Sequence, residues 1–319
     1  MMAAAMVARS GAGAAQNPPR KFVIATLSTG AEVPDKSPLG AGLIDGLARR
    51  GYVVDRNYTL VRRGAQLQLD RLPGMIAEFV QQHADVIVTF GYATARAAKE
   101  LCTLPVVSFT AGDPVGTGLV DGLARPGGHL TGISDVSAEV TPKRLELLRD
   151  FAPKLRTVAV LYNASDPGMV LRYKAAEAVA GPAGISVRPF GVREPADFGS
   201  AFDEMNRDLP DAILMVSDVL TNLNRGLVFE FAAAHRLPAI YENDGYVRDG
   251  GLMSYGPDIK ESLDRVASLV DRILKGARPA DLPFEQPTLF RFAINLQTAK
   301  ALGLAVPQVI LTQADEIVE

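Results

Sequence analysis

The chain of 319 residues carries 33 basic and 36 acidic side chains, a formal net charge of -3, and 48% hydrophobic residues. That size and composition can bury a sizeable core in one large domain or two, and the interspersed charge excludes the basic face or stripe that a nucleic-acid surface needs. Cys102 is the sole cysteine, which rules out an intrachain disulfide and a thiolate metal cluster.

Residues 1–15 are Ala-rich and apolar apart from Arg9 and Ser10, and Ala12-Gly13-Ala14 offers the small residues of a signal peptidase site ahead of Gln-Asn-Pro-Pro. Residues 1–20 therefore read as the remnant of an export signal, the alternative being a disordered Ala-rich tail. No later run approaches the roughly 18 unbroken apolar residues of a membrane span.

A first strand is predicted at residues 22–27, followed by a helix whose Leu39, Leu43, Ile44 and Leu47 recur at helical spacing before Gly51. Residues 57–62 alternate as a second strand. Leu69, Leu72, Ile76, Phe79 and Val80 mark an amphipathic helix that bends or begins near Pro73. A strand at 85–90, a helix at 93–101 and a strand at 105–109 complete a β-α-β-α-β series, which implies right-handed crossovers and a parallel sheet. Turn residues at Arg125-Pro-Gly-Gly128 break the pattern, and 130–134 read as a short extended crossing. A second series begins with Thr141 as an N-cap before Pro142. It continues through strands at 157–161, 185–190, 211–218 and 237–240, with helices near 169–180, 198–205 and 223–234. Residues 250–256, extended and flanked by glycine, read as a second crossing. Asp258 and Glu261 then offer a capping box to a helix ending at Gly276. A strand at 290–295 and a helix at 298–302 allow a third crossing.

The predicted fold is α/β: two doubly wound parallel-sheet lobes joined by a three-strand hinge. One lobe is assigned residues 21–133 and 251–283, the other 134–250 and 284–319.

Six predicted strands end abruptly in polar residues, and ligands of open α/β sheets bind at the carboxyl ends of strands. The candidate ligand-binding residues are therefore Ser28, Thr29, Tyr92, Thr94, Asp113, Asn163, Ser165, Asp166, Asp218, Glu242, Asn243 and Tyr255. Carboxylates at Asp113, Asp166, Asp218 and Glu242 suit an ammonium or hydroxyl group, while hydroxyls beside helix N-termini suit a carboxylate. Tyr92, Tyr162, Tyr241 and Tyr255 could stack on a ring, although a core or hinge role serves each equally well. Any one strand-end aspartate is explained as readily by a turn or a cap.

Several chemistries fail their tests. The sequence has no Walker A loop, no Gly-x-Ser-x-Gly elbow and no His-Glu-x-x-His. His83, His129 and His235 lack a second ligand at metal spacing. Gly40, Gly42 and Gly46 imitate a dinucleotide fingerprint, but the last glycine comes one residue late, so they read as the close-packed face of a helix.

Gly112-Asp-Pro-Val-Gly-Thr-Gly-Leu-Val120, Arg125-Pro-Gly-Gly-His-Leu-Thr-Gly-Ile133 and Lys143-Arg-Leu-Glu-Leu-Leu148 resemble the substrate-binding proteins of ABC transporters in the tryptophan/tyrosine-type group. So do Gly250-Gly-Leu-Met-Ser-Tyr-Gly256, Ile273-Leu-Lys-Gly-Ala-Arg-Pro-Ala-Asp-Leu-Pro283 and Asn295-Leu-Gln-Thr-Ala-Lys-Ala-Leu-Gly303. The resemblance runs from about Lys21 to the C-terminus. It implies a type I periplasmic-binding-protein fold, a ligand enclosed between lobes, and delivery to a membrane permease with a separate ATPase. It also implies ligand contacts after Leu27, at Tyr92 to Thr94, and at Asp113, Asn163, Ser165, Asp218, Glu242 and Asn243.

The expectation is a periplasmic, monomeric solute receptor for a small polar or aromatic molecule, such as an aromatic amino acid or a related aromatic acid, without catalysis, cofactor or metal. A sensory module of the same fold and a hydrolase using the clustered carboxylates are the alternatives. Asp218→Ala is expected to weaken binding while leaving thermal stability within surface-mutation limits.

Overall fold

The structure is a computed structural model that describes residues 21–109 and 112–319. The export-signal reading of residues 1–20 and the strand end at Thr110 and Ala111 lie outside the described residues. Secondary structure in the first unit runs β1 (Phe22–Ser28), α1 (Pro38–Arg49), β2 (Tyr58–Gly64), α2 (Leu72–Gln81), β3 (Val86–Phe90), α3 (Tyr92–Leu101), β4 (Val106–Phe109) and β5 (Leu130–Ile133). These strands form one parallel sheet in the order β2-β1-β3-β4-β5.

The second unit runs α4 (Thr141–Phe151), β6 (Thr157–Asn163), α5 (Pro167–Ala180), β7 (Ser186–Val192), α6 (Asp197–Arg207), β8 (Ala212–Met215), α7 (Val219–Leu223), α8 (Arg225–His235), β9 (Ala239–Tyr241), α9 (Asp244–Arg248) and β10 (Met253–Pro257). After α10 (Ile259–Leu274) it resumes with β11 (Phe290–Asn295), α11 (Leu296–Leu302), α12 (Gln308–Gln313) and β12 (Glu316–Val318). Its sheet order is β12-β11-β10-β9-β8-β6-β7, parallel except between β10 and β11.

The unbroken apolar runs are strands covered on both faces. In β3 all five residues are buried. Val86, Val88 and Phe90 face a cluster with Leu43, Leu47 and the α10 residues Leu263, Val266 and Val270, while Ile87 faces Phe79, Ala95 and Ala98 on the other side. The second sheet is divided likewise, Val158 and Val160 on one face and Ala159 and Leu161 on the other. Alternation along a strand places successive side chains on opposite faces, so β3 reads as an apolar run on both faces, broken only by the buried Thr89 beside Ile87.

The α1 glycines are packing sites. A Cβ on Gly42 would stand 2.5 Å from Leu263 Cδ1, and one on Gly46 would stand 2.7 Å from the Ala267 Cβ. Small residues let α1 and α10 approach closely, in agreement with the sequence reading.

The chain passes between the units three times. The first crossing follows β5, and the second is the step from Pro257 to Asp258 between β10 and α10. The third is the segment before β11, where Glu285 exchanges backbone hydrogen bonds with Gly132 (2.8 Å) and Ser134 (2.9 Å) and the Leu289 carbonyl accepts from Asp258 N (2.9 Å). This corrects the expected division at residue 251. Residues 253–257 are hydrogen-bonded to β9 and β11 in the second sheet, whereas α10 packs on the first. The extended, glycine-flanked look of 250–256 reflects close strand packing: a Cβ on Gly256 would lie 1.9 Å from the Glu242 carbonyl oxygen. Backbone cannot yield as a side chain can, so Gly256→Ala should cost about 2–3 kcal/mol, read as a lower urea midpoint at unchanged slope.

Two caps differ from expectation. Thr141 is the first helical residue of α4 and Val140 is its cap. Asp258 does cap α10 by accepting from Glu261 N at 2.8 Å, but the Glu261 carboxylate accepts from Arg265 and Thr288 instead of closing the box. A reciprocal box is found at Asp218 and Thr221.

Candidate functional site

The carboxyl ends of both sheets open on one cavity of about 230 Å³ between the units. The first unit contributes Ser28 and Thr29 from the end of β1, and Gly91 and Tyr92 from the start of α3, with Leu39, Phe90 and Phe109 as apolar wall. The second contributes Asp166, Met169 and Arg172 around the start of α5, Ser217, Asp218 and Val219 after β8, and Glu242 and Asn243 after β9. The crossings supply Ser134, Asp135, Ser137 and Pro257.

Of the predicted residues, Ser28, Thr29, Tyr92, Asp166, Asp218, Glu242 and Asn243 are brought together on this cavity. The other five do not line it: Ser165 is exposed, and the remaining four are held by local partners. The Thr94 hydroxyl donates to the Phe90 and Gly91 carbonyls, both at 3.0 Å, and is fully buried. Asp113 turns back on its own loop, accepting from Val115 N at 3.1 Å and Gly116 N at 2.9 Å. Asn163 stands behind the wall, donating from Nδ2 to Asp218 Oδ2 at 2.5 Å while its Oδ1 accepts from Ser165 N at 2.9 Å. Tyr255 stacks on Phe290 with ring centroids 6.0 Å apart. Of the other tyrosines, Tyr162 stacks on Tyr173 at 5.0 Å and Tyr241 is buried against Phe229 and Tyr246.

The feature missed by sequence reasoning is a buried ionic network. Glu242 Oε1 accepts from Arg144 Nη1 at 2.9 Å, and Oε2 accepts from Arg172 Nη1 at 2.6 Å and Ser217 N at 3.0 Å. The Ser137 hydroxyl also donates to Glu242 Oε1, and Arg172 Nη2 is paired with Asp135. Arg144 is fully buried, and its Nε donates to the Tyr255 carbonyl at 2.7 Å. Burial by itself would push the Glu242 carboxyl up, but the Arg172 and Arg144 charges and the Ser137 and Ser217 donors hold it below the ordinary carboxylate range. The first crossing is thereby pinned at Asp135 and Ser137, on either side of Val136, which has a φ of 43°. A β-branched residue adopts that conformation only when its surroundings impose it.

The signal for both arginines was their place on buried helix faces. Arg144 shares a face with Thr141, Leu145, Leu148 and Phe151, and Arg172 lies at four-residue spacing from Gly168, Ala176 and Ala180. A charged residue within an apolar stripe must find a buried partner.

The network also sets the charge of the cavity. Two arginines balance Glu242 and Asp135, so Asp166 and Asp218 are left as surplus negative charge on the second unit's wall. Asp166 caps α5 by accepting from Gly168 N at 2.8 Å. Its pKa is pushed up mainly by burial, with Asp218 adding to the rise and the Gly168 hydrogen bond and the Arg172 charge opposing it. On the other wall, α3 begins at Gly91 without a side-chain cap, so its first N–H groups have no side-chain acceptor.

No group of three or more His, Cys, Asp or Glu side chains suited to a metal is present among the described residues, and no helix among them is long and apolar enough to cross a membrane.

Comparison with known proteins agrees with this geometry. The chain is 25% identical over 274 residues to the Tyrosine-binding protein of Clostridioides difficile (strain R20291), covering 86% of this chain and 79% of that one. Among solved structures it is similar to a conserved domain protein from Vibrio cholerae, with a TM-score of 0.87, 26% identity, and coverage of 93% of this chain and 100% of that chain. It is also similar to an ABC domain in complex with L-Trp from Streptococcus pneumonia, at a TM-score of 0.86, 25% identity and the same coverages. These neighbours are type I periplasmic-binding-protein-like, as the fold expectation had it. The sequence pattern of the ABC transporter substrate binding protein family matches residues 32–318, and the chain belongs to that family.

Proposed function

We propose that the protein is an extracytoplasmic receptor of an ABC importer that encloses an aromatic amino acid, or a related aromatic acid, and delivers it to a permease with its own ATPase, without chemistry or cofactor. The observation that carries this reading is the polarity of the cavity. Asp166 and Asp218 offer surplus negative charge to an ammonium group, while the uncapped start of α3 and the Ser28 and Thr29 hydroxyls offer donors to a carboxylate. Phe90, Phe109, Leu39 and Met169 supply an apolar and aromatic surface for a ring. A zwitterion with an aromatic side chain matches all three. The ligands named for the Clostridioides difficile and Streptococcus relatives support the same choice. Binding by both lobes favours the closed form through differential affinity, which is the state a permease can read.

Titration calorimetry with L-tyrosine, L-tryptophan and L-phenylalanine tests the reading. Binding of one of them is expected, and binding of the corresponding amines without the carboxylate should be much weaker. Absence of heat with all three would remove the aromatic assignment. The affinity should also depend on pH. Asp166 must be ionised to hold an ammonium, and its folded pKa is raised, so affinity is full above that value and falls as pH drops through it, at a higher pH than for an ordinary aspartate near 3.9. In the ligand-free protein the sign is opposite. Folding disfavours the charged carboxyl, so the stability cost present above the folded pKa disappears as pH falls below the unfolded one. Affinity and ligand-free stability measured across the same pH series should thus move in opposite directions at this residue.

A further inference from the structure

Leu67 is the one side chain of the first unit packed against a hydrophobic cluster of the second, among the described residues. It joins the cluster containing Leu220, Tyr246 and Val228. Its backbone is in the left-handed region, with φ 63°, and so is that of Gln66, with φ 55°. Two consecutive non-glycine residues in that region are rare and persist only where the surroundings hold them. Here the hold comes from the binding loop itself. Leu67 N donates to the Thr29 carbonyl at 2.7 Å, Gln66 N to the Gly30 carbonyl at 2.8 Å, and Ala65 N to the Ser28 carbonyl at 2.9 Å. The same loop meets the opposite lobe directly, since a Cβ on Gly30 would stand 2.8 Å from Val219 Cγ1.

We propose that Leu67 is a closing latch: the strained turn at residues 66–67, tied to the binding loop, is built to set one apolar side chain against a hydrophobic cluster of the opposite lobe when the cleft shuts. Its anchor on one side is the loop bearing Ser28 and Thr29, and that loop meets the opposite lobe at Val219, the first residue of α7, whose cap is Asp218. Ligand contacts made by those residues and the Leu67 contact therefore form or break together. When the lobes part, Leu67 loses its cover, so its burial favours the closed state whatever the ligand is. The inference rests on closure of this cleft and not on the aromatic assignment.

The test places fluorophores at Glu100→Cys and Glu204→Cys, exposed positions on the two units, in a Cys102→Ser background, and measures the inter-lobe distance distribution without ligand and with L-tyrosine or L-tryptophan. Leu67→Ala and Leu67→Gly are expected to lower the closed-to-open ratio by about tenfold, as a lost apolar contact would. Glycine adopts the left-handed conformation freely, so an effect of Leu67→Ala that Leu67→Gly lacks would assign the change to the backbone and overturn the latch. Leu69→Ala, two residues further along and about half exposed, should leave the ratio at the wild-type value. Leu67→Met should restore most of the closure. A distribution unchanged by loss of the Leu67 side chain, including one with no closed molecules in the wild type, also overturns the proposal. If neither amino acid shifts the wild-type distribution while Leu67→Ala still opens the ligand-free protein, the aromatic assignment fails and the latch stands.

Discussion

Glu242→Gln is expected to destabilise the protein by about 3–5 kcal/mol, because removing one member of a buried ion network leaves its partners charged and uncompensated. Glu242 is the only anion that bridges Arg144 and Arg172 among the described residues, and both guanidinium groups are almost fully buried. A glutamine carbonyl could accept from one of them, and the amide would turn its own donors toward the other. At roughly 2–4 °C per kcal/mol for chains of this size class, the thermal midpoint should fall by on the order of 10 °C. The exposed pair Arg278–Asp281 makes a fitting control, since Arg278→Ala should leave the midpoint where it is. The pH dependence supplies a second readout. The folded pKa of Glu242 lies below its unfolded value, so its stabilisation is complete above about pH 4.3 and is lost as pH falls through the folded value. Denaturant unfolding of Glu242→Gln between pH 7 and 3 should therefore show a shallower acid limb than the wild type. Equal limbs, or a variant as stable as the parent, would mean that the network does not hold the first crossing.

Asp218→Asn should weaken binding of the ligand by about 10- to 100-fold, the range expected when a hydrogen bond to a charged group becomes a neutral one. Asparagine is the informative substitution because Asp218 has two duties. Its Oδ1 accepts from Thr221 N at 2.8 Å and closes the reciprocal cap of α7, while Oδ2 accepts from Asn163. Asparagine caps about as well as aspartate, but its amide would face that of Asn163 donor to donor, so a loss of about 0.5–1.5 kcal/mol is expected from that one hydrogen bond. Asp218→Ala removes the cap as well and should cost about 0.5–2 kcal/mol of stability. The expectation from sequence, that alanine would leave stability within surface-mutation limits, thus gives way to the geometry of the cap. Calorimetry on both variants with L-tyrosine separates the two duties. Undiminished affinity in Asp218→Asn would take the Asp218 charge out of recognition.

Where the chain's periodicity reflected a local rule, it carried over into the structure. Short apolar runs ending in polar residues are parallel strands covered on both faces, and helical spacing at Leu263, Val266, Val270 and Ile273 is the buried face of α10. What failed to show in sequence depended on partners distant along the chain. Residues 316–318 form a strand only because β11 is there to pair with, and the boundary at 251 moved to Pro257 because β9 and β11 both claim the intervening segment. The same contrast divides the candidate site. Strand ends located seven of twelve predicted residues on the cavity, because the end of a parallel strand points toward the same edge in every β-α unit. Thr94 and Asp113 carried the same pattern yet serve their own backbone, as hydroxyls and aspartates often do at turns.

The sequence by itself determined two series of β-α units with polar strand ends, and hence the edge along which a ligand can lie. Only the tertiary structure decided which carboxylates remain available to it. Glu242 and Asp135 are matched by Arg144 and Arg172 from helices far away in sequence, while Asp166 and Asp218 are not. Charge compensation in a buried site depends on distances of a few ångströms between residues separated by as many as 98 positions, and no local pattern encodes such a distance.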